Sequence, residues 1–196
     1  EINKGEKIII KGESGSGKST FLDLFLGLLI PTSGEIQIDE NILNSSNILN
    51  YQRILSSIAQ TPSFLDASIK QNIVFYINKE NIDQKKLEDC TKKAEIYDFI
   101  QKLNDGFESL MGENGLQLSG GQRQRISIAR ALYRKHEILV CDEATNSLDP
   151  ETEIKVINNL IKNSSDKTMV FVTHNKEIID KFDKTYTILN GKLVKN

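Results

Sequence analysis

The sequence predicts an α/β fold: a parallel-sheet core with an α-helical subdomain inserted near residues 61–124. Three observations carry the prediction. A β-branched run, Lys7-Ile8-Ile9-Ile10-Lys11, leads into a glycine-rich loop and then an apolar helical stretch, the strand–loop–helix order of a parallel unit. Apolar runs of strand length return near the other end, at 137–141 and 168–173, with a helical pattern between them. The intervening stretch, 68–103, is polar and helical in period.

The elements follow in order. Residues 7–11 read as a buried strand and 21–26 as a helix. Pro31-Thr32-Ser33-Gly34 is a turn, after which Glu35-Ile36-Gln37-Ile38-Asp39 alternates as a half-buried strand does. Residues 53–59 read as another strand, ending at Gln60-Thr61-Pro62. Within 68–103 the apolar anchors are Leu87, Ala94, Ile96, Phe99 and Ile100. A helix over 122–134 carries Ile126, Ile128, Ala129 and Leu132 on its apolar side. Asp149-Pro150 opens a helix at 151–162, since proline suits a first helical position. The end reads as a hairpin, 185–189 and 192–195 around Asn190-Gly191. No internal repeat or low-complexity stretch is evident. The chain is therefore expected to be a single domain, 1–196, with a core of 1–60 and 125–196 and a helical subdomain of 61–124. It opens almost directly on the first strand, which suggests a fragment of something longer.

Composition narrows the function classes. A length of 196 residues suits one large domain or a core plus a subdomain. The formal net charge of −2 gives no basic field, so no nucleic-acid partner is expected. Cys90 and Cys141 lack metal-site spacing and fit packed thiols in a reducing compartment. With two histidines, a histidine metal cluster is excluded. The apolar run 21–30 is interrupted by Asp23 and is half the roughly twenty residues a membrane span needs.

Two strings carry the chemistry. Gly12-Glu13-Ser14-Gly15-Ser16-Gly17-Lys18-Ser19-Thr20 fits G-x-x-x-x-G-K-[ST], between a strand and a helix. Its glycines allow successive N–H groups to turn inward around phosphate oxygens, and the helix N-terminus adds its dipole. Lys18 would reach the β- and γ-phosphates, and the Ser19 hydroxyl would sit on Mg²⁺. A plain strand-to-helix turn is the bland alternative. The second string, Ile138-Leu139-Val140-Cys141-Asp142-Glu143, is an apolar strand ending in two carboxylates. Asp142 suits a Mg²⁺ acid, and Glu143, one residue further, suits a group that polarises the attacking water. A solvated turn or helix cap is the alternative there. Ser119-Gly120-Gly121 precede a helix and offer a hydroxyl and open N–H groups to an anion, or form an ordinary N-cap turn. His174 lies at a strand end, the edge where α/β folds bind ligands. Gln60 could simply end its strand.

Together these strings closely resemble the nucleotide-binding domain of ABC transporters, over essentially the whole chain. The resemblance implies a P-loop NTPase (RecA-like) fold and gives roles residue by residue. Residues 12–20 match the family's Walker A loop, which holds ATP. Gln60 matches the Q-loop glutamine, which touches Mg²⁺ and the attacking water beside the transmembrane partner. Leu118-Ser119-Gly120-Gly121-Gln122 matches the signature loop, which caps the γ-phosphate bound by the other subunit. Residues 138–143 match Walker B, with Glu143 in the place of the catalytic glutamate. Ser147-Leu148-Asp149 matches the D-loop at the dimer interface, and His174 the switch histidine on the γ-phosphate. The expected cofactors are thus ATP and Mg²⁺, with Ser19, Gln60 and Asp142 on the metal side and Lys18, Gln60, Glu143 and His174 on the catalytic side.

The resemblance extends to subfamily. Ser109-Leu110-Met111-Gly112-Glu113-Asn114-Gly115 is similar to the exporter X-loop, with Asn114 where arginine is usual. The segment Gln60-Thr61-Pro62-Ser63-Phe64-Leu65 with Ser68-Ile69-Lys70-Gln71-Asn72-Ile73 also looks like exporters with fused membrane and ATPase domains. The implied protein is the ATP-hydrolysing motor of an exporter of lipids, lipid-linked sugars, peptides or drugs. Its partners are a second nucleotide-binding domain, identical or not, in a head-to-tail dimer, and a transmembrane domain fused upstream. It would sit on the cytoplasmic face of a membrane, expected to be a bacterial inner membrane. The family's adenine-stacking aromatic lies upstream of Walker A, and Tyr51 is not its counterpart. Two other classes remain: a soluble ABC ATPase of DNA repair or translation, and a regulatory module that binds ATP without turnover. The retained Glu143 and His174 count against the second.

Overall fold

The computed structural model describes residues 1–75, 81–164, 166–173 and 175–195. It divides into two compact units. One comprises Glu1–Ser57, His136–Asp142 and Asp166–Asn196; the other comprises Ile58–Lys135 and Glu143–Ser165.

The first unit is built on a mostly parallel sheet. Strands β1 (Lys7–Lys11), β4 (Leu55–Ile58), β5 (Ile138–Asp142), β6 (Thr168–Val172), β7 (Lys184–Leu189) and β8 (Lys192–Lys195) lie in the order β4-β5-β6-β1-β7-β8. β1 pairs in parallel with both β6 and β7, so Ile9 lies opposite Phe171 on one side and Thr185 on the other. β5 pairs in parallel with β6, and β7 with β8 antiparallel as the expected C-terminal hairpin. Ile8, Ile9 and Ile10 are completely buried, which is why β1 reads as an unbroken apolar run instead of an alternating one. Ile8 and Ile10 share one face with Val140, Val170, Val172 and Ile188, and Leu22 of α1 (Lys18–Phe25) packs into that cluster. Each such aliphatic side chain stabilises the fold by about 1.5–3 kcal/mol.

Local differences from the sequence reading have identifiable causes. α1 begins three residues early, because Gly17 at its N-cap takes a left-handed φ of 103° and lets Lys18 enter the helix directly. Of the expected strand 35–39, only β2 (Gln37–Ile38) forms. It pairs antiparallel with β3 (Asn41–Ile42) in a separate sheet, and Asp39 turns between them at φ 53°. The expected strand 53–59 is shortened by α2 (Ile48–Ile54). Tyr51 holds that helix: its buried ring donates the hydroxyl to Phe25 O at 2.6 Å, and Gln52 Nε2 donates to Gly27 O at 3.1 Å. A short helix, α8 (Lys176–Ile179), is capped by Asn175, a turn too brief to show a period.

The second unit is helical. The described part of 68–103 resolves into α3 (Ile69–Val74), α4 (Gln84–Lys93) and α5 (Tyr97–Gln101). Ser68 and Gln71 form a capping box on α3, Asp83 caps α4, and Glu95 in a left-handed conformation separates α4 from α5. α6 (Gly120–Tyr133) packs on α3 and α4 and buries Ile126, Ile128 and Ala129. Arg130 fastens it: the guanidinium lies 4.8 Å from the Phe64 ring and 5.0 Å from the Phe75 ring. It donates to Asn72 O at 2.8 Å and Ser63 O at 2.9 Å. α7 (Pro150–Asn163) packs on α4, with Asn159 Nδ2 donating to Lys93 O at 3.1 Å.

Candidate functional site

In the first unit, parallel pairing brings the C-terminal ends of β1, β5 and β6 to one edge of the sheet, the edge where open α/β sheets take ligands. β1 delivers the loop 12–17 there. Gly12 has φ 156°, and a Cβ on it would stand 2.4 Å from Ser16 Oγ and 3.1 Å from Ile188 O. The loop closes on itself only because that side chain is missing. Ser16 Oγ is buried within it and has no hydrogen-bond partner among the described residues. Lys18 Nζ donates to Gly12 O at 2.8 Å and Glu13 O at 3.0 Å, so the ammonium lies over the loop. Ser19 and Thr20 are exposed in the first turn of α1, which carries no acidic residue. A loop of this kind, with a cation and a helix start, binds an anionic phosphate chain. Asp142 ends β5 opposite Val172.

In the second unit, Glu143 takes φ 45°, a left-handed conformation that costs a side-chain-bearing residue free energy. Its carboxylate is held from two directions. Gln60 Nε2 donates to Oε2 at 3.0 Å, and Asn146 Nδ2 donates to the same oxygen at 2.8 Å. The fold thus brings together Gln60 and Glu143, which are 83 residues apart in sequence. Next along the chain, Thr145 Oγ1 donates to Glu153 Oε1 at 2.6 Å, both groups buried.

Ser119 caps α6: its hydroxyl accepts from Gln122 N at 3.2 Å, and Gln122 Oε1 accepts from Ser119 N at 2.8 Å. The N-cap turn weighed from the sequence is therefore present. Gly121 sits against Ser147 and Leu148; a Cβ on it would stand 3.1 Å from Ser147 O. Asp149 caps α7 by accepting from Thr152 N at 3.0 Å, and that bond holds its carboxyl below the usual carboxylate range. His174 lies outside the described residues; the preceding Thr173 is buried and its Oγ1 accepts from Asn175 N.

Among the described residues no cluster of three or more His, Cys, Asp or Glu is placed to hold a metal ion. Cys90 and Cys141 are buried and not in disulfides, and burial pushes the Cys141 thiol up. A cavity of about 590 Å³ in the first unit is lined by Phe21, Phe25, Ile36, Tyr51 and Ile138 among others, and by no residue of the loop 12–17.

Comparison with known proteins decides the family. The model of the family "ABC transporter" matches residues 1–146. The chain belongs to the ABC transporter family. It is 39% identical over 194 residues to ATP-binding cassette sub-family B member 5 of Mus musculus, covering 99% of this chain and 15% of that protein. It is 37% identical over 194 residues to the beta-(1-->2)glucan export ATP-binding/permease protein NdvA of Bartonella bacilliformis, covering 99% of this chain and 32% of that one. A solved structure of a bacterial Atm1-family ABC exporter with ATP bound superposes with a TM-score of 0.91 at 30% identity, over 97% of this chain and 33% of that chain. The chain thus spans between a seventh and a third of these relatives. It is the ATP-binding part of an ABC transporter chain, homologous to ABC exporters, and has the P-loop NTPase fold expected of it.

Within this ABC domain the sequence reading missed two features. Asn146, on the carboxylate of Glu143, had a signal in its spacing: an amide three residues after a strand-end acid falls within reach of it across one turn. The buried Thr145–Glu153 bond had none, because Glu153 sits in an otherwise ordinary helical pattern.

Proposed function

We propose that this domain hydrolyses ATP to drive an exporter, and that Glu143 is the residue that makes it hydrolytic. The observation that carries the reading is a strand-end carboxylate held by two neutral amides, on a chain that also carries a complete phosphate loop. Residues 12–20 hold the triphosphate, with Lys18 exchanging its two carbonyl contacts for phosphate oxygens. Glu143 orients water for in-line attack on the γ-phosphate, and Lys18 and His174 stabilise the developing charge, so catalysis is mostly positioning and electrostatics. Ser19 and Asp142, with Gln60, are the Mg²⁺ residues on this reading. Their hydroxyl, carboxylate and amide oxygens suit a hard cation that takes few protein ligands beside substrate phosphates. When bound, that ion neutralises phosphate charge. The signature residues Ser119, Gly120, Gly121 and Gln122 serve the γ-phosphate of a second domain, a role supported by the exposed start of α6.

Further proposals concern the complete protein. We place the domain, 1–196 with its helical part at 61–124, on the cytoplasmic face of a membrane, a bacterial inner membrane on this reading. A fused transmembrane domain is its expected partner, because Leu65, Phe75 and Leu110 expose apolar surface around the segment that follows Gln60. The backbone there is tied together: Ile69 N donates to Ser109 O at 3.0 Å and Met111 N to Ala67 O at 3.1 Å. No helix among the described residues is long and apolar enough to cross a membrane itself. The cargo class is that of exporters: lipid, lipid-linked sugar, peptide or drug.

The test is Glu143→Gln in the complete protein. ATP affinity is expected to stay unchanged while turnover falls by about 10²–10⁴-fold, the usual contribution of a general base. Turnover at the wild-type rate would remove Glu143 from the mechanism.

A further inference from the structure

We propose that Asn146 is a positioning residue for hydrolysis, fixing the Glu143 carboxylate that orients the attacking water. The inference rests on the hydrolytic role given to Glu143 above.

Asn146 closes one turn twice. Its backbone N–H donates to Glu143 O at 3.3 Å, and its side-chain amide donates to Glu143 Oε2 at 2.8 Å. The first contact defines the turn that carries Glu143 at φ 45°, and the second fixes where the side chain ends. A residue in so sparsely populated a conformation persists only where its surroundings over-determine it. Two further bonds steady the next residue of that turn: Leu148 N donates to Thr145 O at 3.0 Å, and Thr145 Oγ1 donates to Glu153 Oε1 at 2.6 Å. The turn that carries Asn146 is thus anchored at the neighbouring Thr145, which the buried Glu153 holds.

Gln60 contacts the same oxygen, but the two amides are not equivalent. Gln60 comes from a distant segment and is the glutamine assigned above to the metal and the water. The Asn146 contact spans only three residues. A donor on so short a span stays on Glu143 when Gln60 turns to the metal. The amide matters chemically. Asparagine presents a neutral N–H donor at this length, whereas the isosteric aspartate only accepts and would repel the carboxylate. Asn146 is itself exposed, so replacing it does not empty a packed core.

The experiment measures steady-state ATP hydrolysis and thermal unfolding of the complete protein. Asn146→Ala is expected to lower kcat by about 10–100-fold, the effect of a displaced reacting group. KM for ATP and the unfolding midpoint should stay unchanged. Asn146→Asp should lose at least as much. Added to Glu143→Gln, Asn146→Ala should change nothing further. A wild-type kcat in Asn146→Ala, while Glu143→Gln is inactive, overturns the positioning role and leaves the hydrolytic reading intact. An equal fold-loss with and without Glu143, or a loss matched by a lower unfolding midpoint, also overturns it. Full activity of Glu143→Gln would instead remove the hydrolytic reading, and this inference with it.

Discussion

Ser119 shows how one side chain serves two demands. Its hydroxyl is engaged with Gln122 N in a capping box, yet the start of α6 that it caps is the proposed binding point for a neighbour's phosphate. Removing the hydroxyl would confuse lost cap with lost binding, since an N-cap is worth about 1 kcal/mol. Ser119→Asp separates them, because aspartate caps as well as serine does. Its negative charge would repel a γ-phosphate. The variant should unfold at the wild-type temperature and bind ATP at its own phosphate loop, but hydrolyse at a small fraction of the wild-type rate. Differential scanning fluorimetry with a phosphate-release assay reads both. The candidate residues Ser119, Lys18 and Glu143 could be picked out of the sequence because the chemistry proposed for them is tied to fixed spacing after a strand or before a helix. Asn146 was not singled out: its three-residue spacing from Glu143 was on display, but the left-handed turn that closes the contact was not.

Elements are pinned by polar contacts as much as by the apolar core. β1 and β7 are joined near their N-terminal ends by Glu6 and Lys184, and Asn3 donates to the same carboxylate through its backbone at 2.9 Å and its side chain at 3.0 Å. The Asn3 bonds and the Lys184 ammonium hold Glu6 down to about 2, from 4.5. A carboxylate depressed on folding contributes stability that is whole above its unfolded value and disappears as pH falls through the folded one. The Glu6 contribution should therefore persist at neutral pH and be lost between about 4.5 and 2. Glu6→Gln should lower the unfolding midpoint at pH 7 but flatten its decline over that acid range. A wild-type decline in the variant would show that Glu6 is not the titrating group. At this scale the sequence was informative where an apolar run was unbroken, as in β1 and β6, or a helical period ran long, as in α6. It was less so where a tertiary contact overrode local pattern. Tyr51 and Gln52 bonding to the end of α1 turned the start of an expected strand into α2.

At the scale of the whole molecule, the two compact units each carry part of the proposed chemistry. The first has the phosphate loop and Asp142; the second has Gln60, Glu143 and the signature loop. The order of motifs along the chain, and the family it belongs to, were legible because each motif keeps its strand or helix context. What no single sequence displays is the partner. A phosphate loop and a second anion-ready helix start on one chain make chemical sense if two domains face each other head to tail over two nucleotides. The most direct measurement is chemical cross-linking in the complete Glu143→Gln protein with Ser14→Cys and Gly120→Cys, treated with a short bifunctional thiol reagent. The account predicts that Mg-ATP produces a link between the phosphate loop of one nucleotide-binding domain and the signature loop of the other, and that the link is lost without nucleotide. Saturating ATP binding with no link between domains would contradict it.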